Sequence, residues 1–276
     1  MHHLRSVSLK KPAEHYGAAF PFSVPAVRSL GELRLESPVT FFAGENGSGK
    51  STLLEGIAAA VGSPTVGREE VGHDDSLSAQ RELGRALRLA WTTRTHKGFF
   101  LRAEDFFNFA KRVARLREEM LREAAEVAAE YDAQGRSAWA KGLAVGPRLG
   151  SARAMAQRYG DLDARSHGQS FLALFQSRLV PGGLYLLDEP EAALSPQSQL
   201  ALIAMMADVV RQGGQFIVAT HSPILLAYPG ARIVSFDQAP VGEVAFGELE
   251  HVRLTREFLE DPERYLRHLI EQPSAE

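Results

Sequence analysis

Six residues carry three glycines, Gly44, Gly47 and Gly49, and run straight into Lys50, Ser51 and Thr52; no other stretch constrains the fold of this chain as sharply. Glycine accepts positive φ and has no Cβ, so consecutive amide N–H groups can turn inward and form a cradle for an anion. The run before the loop, Val39-Thr40-Phe41-Phe42-Ala43, is β-branched and aromatic as a buried strand is, and residues 52–60 after it read as helix. The loop therefore stands at a helix N-terminus, where free N–H groups and the helix dipole favour negative charge, phosphate above all. In the pattern Gly44-x-x-x-x-Gly49-Lys50-Ser51, the cradle spans Asn46, Gly47, Ser48, Gly49 and Thr52. Lys50 is expected on the outer phosphates of a nucleotide, and Ser51 on Mg2+.

The 276 residues, 45% of them hydrophobic, can bury a large core. A formal charge of −3 provides no global basic field, so contact with nucleic acid would need a local patch. With no cysteine there is no disulfide, thiolate metal site or cysteine nucleophile. No apolar run approaches the length of a membrane span and the start has no signal pattern, so the expectation is a soluble, cytoplasmic protein.

Val7 and Leu9, then Leu30, Leu33 and Leu35, suggest short antiparallel strands in the first 40 residues. Residues 62–80 are polar and turn-rich, a surface loop whose His73, Asp74 and Asp75 are read as solvated rather than metal-binding. Strands are expected at Leu87-Arg88-Leu89-Ala90-Trp91 and at residues 98–103, then a long helix over 105–131 with apolar Phe106, Phe109, Val113, Leu116, Met120, Leu121 and Val127. Its arginines form either a solvated face with i,i+4 pairs or a stripe tracking phosphates. A shorter helical piece is expected within 135–167, and two short helices broken near Pro262 at the end.

Strands at residues 184–187, 216–219 and 233–236, with helices at 171–179 and 197–210, imply a parallel sheet whose ligand lies at the carboxyl ends of its strands. Asp188 and Glu189 follow the first of these strands; one carboxylate suits the metal and the other the attacking water. Thr220-His221-Ser222-Pro223 follows the next, placing an imidazole in reach of a terminal phosphate.

With Arg165-Ser166-His167-Gly168-Gln169-Ser170 upstream, the assembly resembles the ATP-binding-cassette (ABC) ATPase family, whose motifs occur here in order over most of the chain. Arg165 and His167 depart from the transporter signature Leu-Ser-Gly-Gly-Gln; Ser195 stands where transporter D-loops carry Asp, and no Q-loop Gln follows a strand. These departures look more like the soluble RecF, SMC and OLD-like branch, in its compact group without a long coiled coil. Glu104 takes the place of that Gln in the order, either as a metal or water ligand or, with Asp105, at the helix N-terminus.

The resemblance implies an α/β P-loop fold with a mostly parallel sheet, an N-terminal antiparallel β subdomain and an inserted helical subdomain. A single domain would run from 1 to 276: the P-loop half 1–103, a helical insertion 104–180, the Walker B and switch half 181–247, and C-terminal helices 248–276. It implies ATP and Mg2+ as cofactors, Glu189 and His221 as catalytic groups, and Ser51, Asp188 and Glu104 at the metal. Ser166, Gly168 and Gln169 would act in trans on ATP in a second copy, giving an ATP-dependent head-to-tail homodimer that clamps or switches in DNA maintenance or defence. DNA or an unidentified protein would be its partner. The alternatives are a transporter's nucleotide-binding subunit with a membrane partner, and a non-catalytic ATP-gated interaction module. For adenine, Tyr16, Phe20 and Phe22 could stack, against core packing for each.

Overall fold

The computed structural model describes residues 2–65, 78–159 and 167–270, the side chains of 103–110, 157–159, 167–169 and 268 excepted. In chain order come β1 (Leu4–Leu9), α1 (Pro25–Arg28), β2 (Leu33–Arg34), β3 (Val39–Ala43), α2 (Lys50–Val61), α3 (Ser78–Ala86), β4 (Leu87–Trp91) and β5 (Gly98–Arg102). Then follow α4 (Ala103–Ala133), α5 (Ala138–Tyr159), α6 (His167–Arg178), β6 (Leu184–Asp188), α7 (Pro196–Arg211), β7 (Gln215–Ala219) and α8 (Pro223–Leu226). The chain continues with β8 (Arg232–Ser235), β9 (Gly242–Glu243), α9 (Glu250–Glu260) and α10 (Pro262–Ile270).

A six-stranded sheet has the order β5-β6-β7-β3-β8-β9, parallel except for the β8–β9 pair. Its central strands β3, β6 and β7 are buried along their whole length because both faces are covered. Phe41, Tyr185, Leu187, Phe216 and Val218 point into one core, while Phe42, Leu184, Leu186, Ile217 and Ala219 point into the other. A separate antiparallel sheet, β2-β1-β4, closes the second core.

One buried amide joins the sheets. Gln215 Oε1 accepts from the His3 and Leu4 N–H groups at 2.8 Å each, and Nε2 donates to Leu4 O at 2.9 Å and Leu35 O at 3.0 Å. Because both ends of the amide are satisfied, its burial costs little.

Three expectations change. The loop expected through residue 80 gives way at Ser78 to α3, and 66–77, including His73, Asp74 and Asp75, lie outside the described residues. The helical piece expected within 135–167 is a 22-residue helix that contains Pro147. The first 40 residues hold α1 as well as strands.

Four basic residues of the α4–α5 hairpin face acids: Arg115 meets Glu119, Arg122 meets Glu126, Arg148 meets Glu123 and Lys141 meets Asp132. That pattern fits the solvated face better than the phosphate-tracking stripe.

β5 begins at a glycine for a steric reason. Gly98 has φ +113°, and a Cβ there would lie 1.8 Å from the Leu184 carbonyl oxygen of the neighbouring strand. Gly98→Ala should therefore lower stability by about 3 kcal/mol or more, read as a fall in Tm. An unchanged Tm would contradict the close pairing of β5 with β6.

Candidate functional site

Parallel register gathers the site at one sheet edge. Asp188 pairs with Ala219 and with Arg102, Phe42 pairs with Ala219, and Ala43 pairs with Ser235, so the loops after β3, β6, β7 and β8 emerge side by side. β7 lies between β3 and β6, which puts the Thr220-His221-Ser222 loop between the glycine loop and the Asp188-Glu189 pair.

The glycine loop is pressed against its surroundings. Gly44 (φ 147°) and Gly49 (φ 101°) leave no room for a Cβ, which would meet Asp237 Oδ1 at 2.9 Å and Val24 Cγ1 at 2.5 Å respectively. Asp237 Oδ1 accepts from the Glu45 N–H at 2.8 Å, and Ser235 Oγ donates to Oδ2 at 3.2 Å, so the end of β8 holds the loop in place.

Lys50, 3% exposed, opens α2, and its Nζ donates to the Gly44 and Glu45 carbonyls at 2.7 Å each. Burial lowers its pKa, against the pull of the Glu189, Asp188, Asp237 and Glu191 carboxylates. Ser48 Oγ is buried and has no partner among the described residues. A cleft of about 670 Å³ opens beside Asn46, Gly47 and Ser48, with His251 of α9 on its wall. Thr52 follows in the first turn of α2.

Ser51 Oγ donates to Asp188 Oδ1 at 2.8 Å. Burial pushes the Asp188 carboxyl up to about 7; the Ser51 hydroxyl and Arg102 pull it down, and Glu55 and Glu189 push it further up. Arg102 is itself engaged by Glu55 of α2.

The residues fit a triphosphate and a hard divalent cation. The loop has inward glycines, a buried ammonium and an unpartnered buried hydroxyl, and the hydroxyl–carboxylate pair offers oxygen ligands where positive charge would offset desolvation. No group of three His, Asp or Glu side chains converges among the described residues. Mg2+ does not need one, because one or two carboxylates suffice when phosphates complete its shell.

Glu189 has φ 47° and ψ 49°, the one non-glycine residue with positive φ among those described. Its N–H donates to Ala219 O at 2.9 Å. Such strain persists only where the surroundings impose it, and it turns the chain sharply away from the strand direction. His221, at the carboxyl end of β7, is about half exposed.

Sequence reasoning gave no role to Asp237 or to Glu191, whose carboxylate accepts from Thr220 Oγ1 at 2.6 Å and from the His221 N–H at 2.9 Å. Their signal was position, a carboxylate within three residues of a strand end on the same edge as the glycine loop.

Other expected residues stand apart. Ser166 lies outside the described residues; Gly168 and Gln169 fall in the first turn of α6, without described side chains. Glu104 lies in the first turn of α4, directly after β5, also without a described side chain. Tyr16 stacks on Phe22 with ring centroids 4.7 Å apart and Phe22 is in the core, whereas Phe20 is exposed.

Two family models match this chain. One, described as "AAA domain, putative AbiEii toxin, Type IV TA system", matches residues 170–227, and the other, "AAA domain", matches 26–86. These stretches contain the Asp188-to-His221 segment and the glycine loop. Among curated proteins, the macrolide export ATP-binding/permease protein MacB of Marinobacter nauticus is 32% identical over 186 residues, 65% of this chain and 26% of that protein. The phosphonates import ATP-binding protein PhnC of Stutzerimonas stutzeri is 30% identical over 186 residues, 64% of this chain and 63% of the importer protein. The chain thus spans about a quarter of the exporter's length.

Among solved structures, a nucleotide-free ATP-binding cassette from an ABC transporter aligns with 99% of this chain and 100% of its own, at 17% identity and a TM-score of 0.46. An Smc head domain of Pyrococcus furiosus, solved with the C-terminal domain of ScpA, aligns with 95% of this chain and 100% of its own, at 11% identity and a TM-score of 0.46.

Proposed function

This chain belongs to the ABC-type P-loop ATPases, and we propose that it hydrolyses ATP with Mg2+ as an ATP-gated head-to-tail homodimer of the compact RecF, SMC and OLD-like branch. One observation carries the reading, the 2.8 Å bond from Ser51 to Asp188, because it joins the start of α2 to the end of β6 through two oxygen ligands beside Lys50. In this reading the amides of the 44–52 loop and Lys50 bind the phosphates, and Ser51 and Asp188 hold Mg2+. The cation, when bound, would neutralise charge on the phosphate oxygens. Glu189 orients the attacking water and accepts its proton, and His221 donates to the γ-phosphate. Glu104 stands as a further candidate at the metal.

Ser166, Gly168 and Gln169 complete the site of the second copy, with the N-terminus of α6 aimed at its γ-phosphate. ATP favours the closed dimer only by the extra contacts made there, so hydrolysis removes the reason to stay closed. Ser166→Arg should bind ATP as a monomer yet form no ATP-dependent dimer, measured by light scattering with and without nucleotide. Wild-type turnover in that variant would contradict action in trans.

For the biological role, the toxin–antitoxin description of one matching family and the resemblance to the soluble branch support DNA maintenance or defence, exercised in the cytoplasm, where ATP is. ATP turnover measured with and without single- and double-stranded DNA, at low and moderate salt, tests it. Stimulation surviving moderate salt supports DNA as partner; absence of stimulation points to a protein partner.

A second reading, the ATPase subunit of a transporter, is favoured by the names of MacB and PhnC. Among the described residues no helix is long and apolar enough to cross a membrane, so that role would need a membrane partner. Co-purification with a membrane-spanning protein would decide for it. In the third, non-catalytic reading, Glu189→Gln would leave cellular function intact.

A further inference from the structure

Glu191 lies in the 3-10 turn Pro190–Ala193 that Glu189 opens, with its side chain 7% exposed. Three groups converge on its Oε1. Thr220 Oγ1 donates to it at 2.6 Å, the His221 N–H donates at 2.9 Å, and His221 Nδ1 lies 3.4 Å away. The other oxygen, Oε2, is buried with no partner among the described residues. Leaving one oxygen of a buried carboxyl unpaired costs stability.

A second link runs alongside. Ser222 Oγ donates to Gln199 Oε1, and Gln199 Nε2 donates to Leu194 O at 3.3 Å. Glu189 is tied in as well, its N–H on Ala219 O and its carbonyl accepting from the Ala192 N–H at 3.1 Å. The turn carrying Glu189 and the loop carrying His221 are therefore fastened directly at three consecutive positions of the second, 219 to 221, and Ser222 ties the loop to α7 through Gln199. His221 itself is half exposed, so burial does not hold its ring.

We propose that Glu191 is a positioning residue: its carboxylate takes the His221 Nδ1 side of the imidazole, leaving Nε2 to face the γ-phosphate, and holds that ring in fixed relation to Glu189. The two imidazole nitrogens are distinct, and a partner on one sets which way the other points and which proton it carries. With Nδ1 turned to Glu191, Nε2 is the nitrogen left to meet the γ-phosphate. The proposal rests on the reading of His221 as the γ-phosphate contact.

Two measurements test it. The first is 15N NMR of the imidazoles in nucleotide-free protein, with His221→Ala assigning the signal. The wild type should have His221 protonated at Nδ1, and Glu191→Gln should shift the ring toward the other tautomer; identical spectra would overturn the proposal. The second is steady-state ATP turnover with equilibrium ATP binding for Glu191→Gln, His221→Ala and the double variant. Glu191→Gln keeps two of the acceptor contacts, so Tm, ATP affinity and KM should stay near wild type while kcat falls about tenfold. In the His221→Ala background the same change should add nothing, since both act through one group. A wild-type kcat for Glu191→Gln, or losses that multiply in the double variant, would overturn the proposal. A wild-type kcat for His221→Ala would remove the premise and the proposal with it, while leaving the Lys50 and Asp188 assignments standing.

Discussion

Glu189→Gln should bind ATP as tightly as the wild type, turn it over at least about 100-fold more slowly, and accumulate as an ATP-bound dimer. The substitution keeps size and shape, and a strained backbone at φ 47° that tolerates Glu should accept Gln at similar cost. What it removes is the group proposed to accept a proton from water. In the proposed site binding draws on the glycine loop, Lys50 and Asp188, all left in place, so affinity and closure should survive while the step that ends closure should not. Single-turnover kinetics with nucleotide-dependent sizing measure both halves of the result. Turnover near the wild-type rate would take Glu189 out of the chemistry.

The second large effect belongs to Lys50. Lys50→Met should lower ATP affinity by on the order of 100-fold or more, since bonds from an ammonium to phosphate oxygens contribute about 1.5–3 kcal/mol each. Methionine keeps most of the stem that fills the space under the loop, whereas the Gly44 and Glu45 carbonyls lose the donor they hold at 2.7 Å. A modest loss of Tm is therefore expected together with the loss of binding. Lys50→Ala removes the stem too and should give the same affinity loss with a larger fall in Tm. Retained ATP-dependent dimers in either variant would contradict the assignment of the loop.

The sheet edge was legible because its signals are local. Continuous apolar strands, a glycine loop before a helix, and carboxylates directly after Leu187 each need only a short window of sequence. α3 was not legible: its polar sequence gives little sign of helix until Leu83, wholly buried, packs against α2, where a Cβ on Gly56 would lie 2.6 Å from Leu83 Cδ2. α5 carries Gly142, Gly146, Pro147 and Gly150, all signals for a break, yet packing against α4 holds it as one helix. Glu191 and Asp237 became visible only once β6, β7, β3 and β8 were aligned, because their partners lie 29 to 30 and 192 residues away in the chain.

The central claim is that each site is shared between two chains. Its most direct test mixes two inactive proteins, Lys50→Ala and Ser166→Arg, and measures ATP turnover of the mixture against each alone. In a head-to-tail dimer the mixed pair has one site with both an intact glycine loop and an intact partner segment. An equimolar mixture should then recover up to roughly half of wild-type turnover, because neither variant closes on itself with ATP, so every ATP-dependent dimer is mixed and has one working site of two. A mixture as inactive as its components, or a Ser166→Arg protein active by itself, would contradict the shared site.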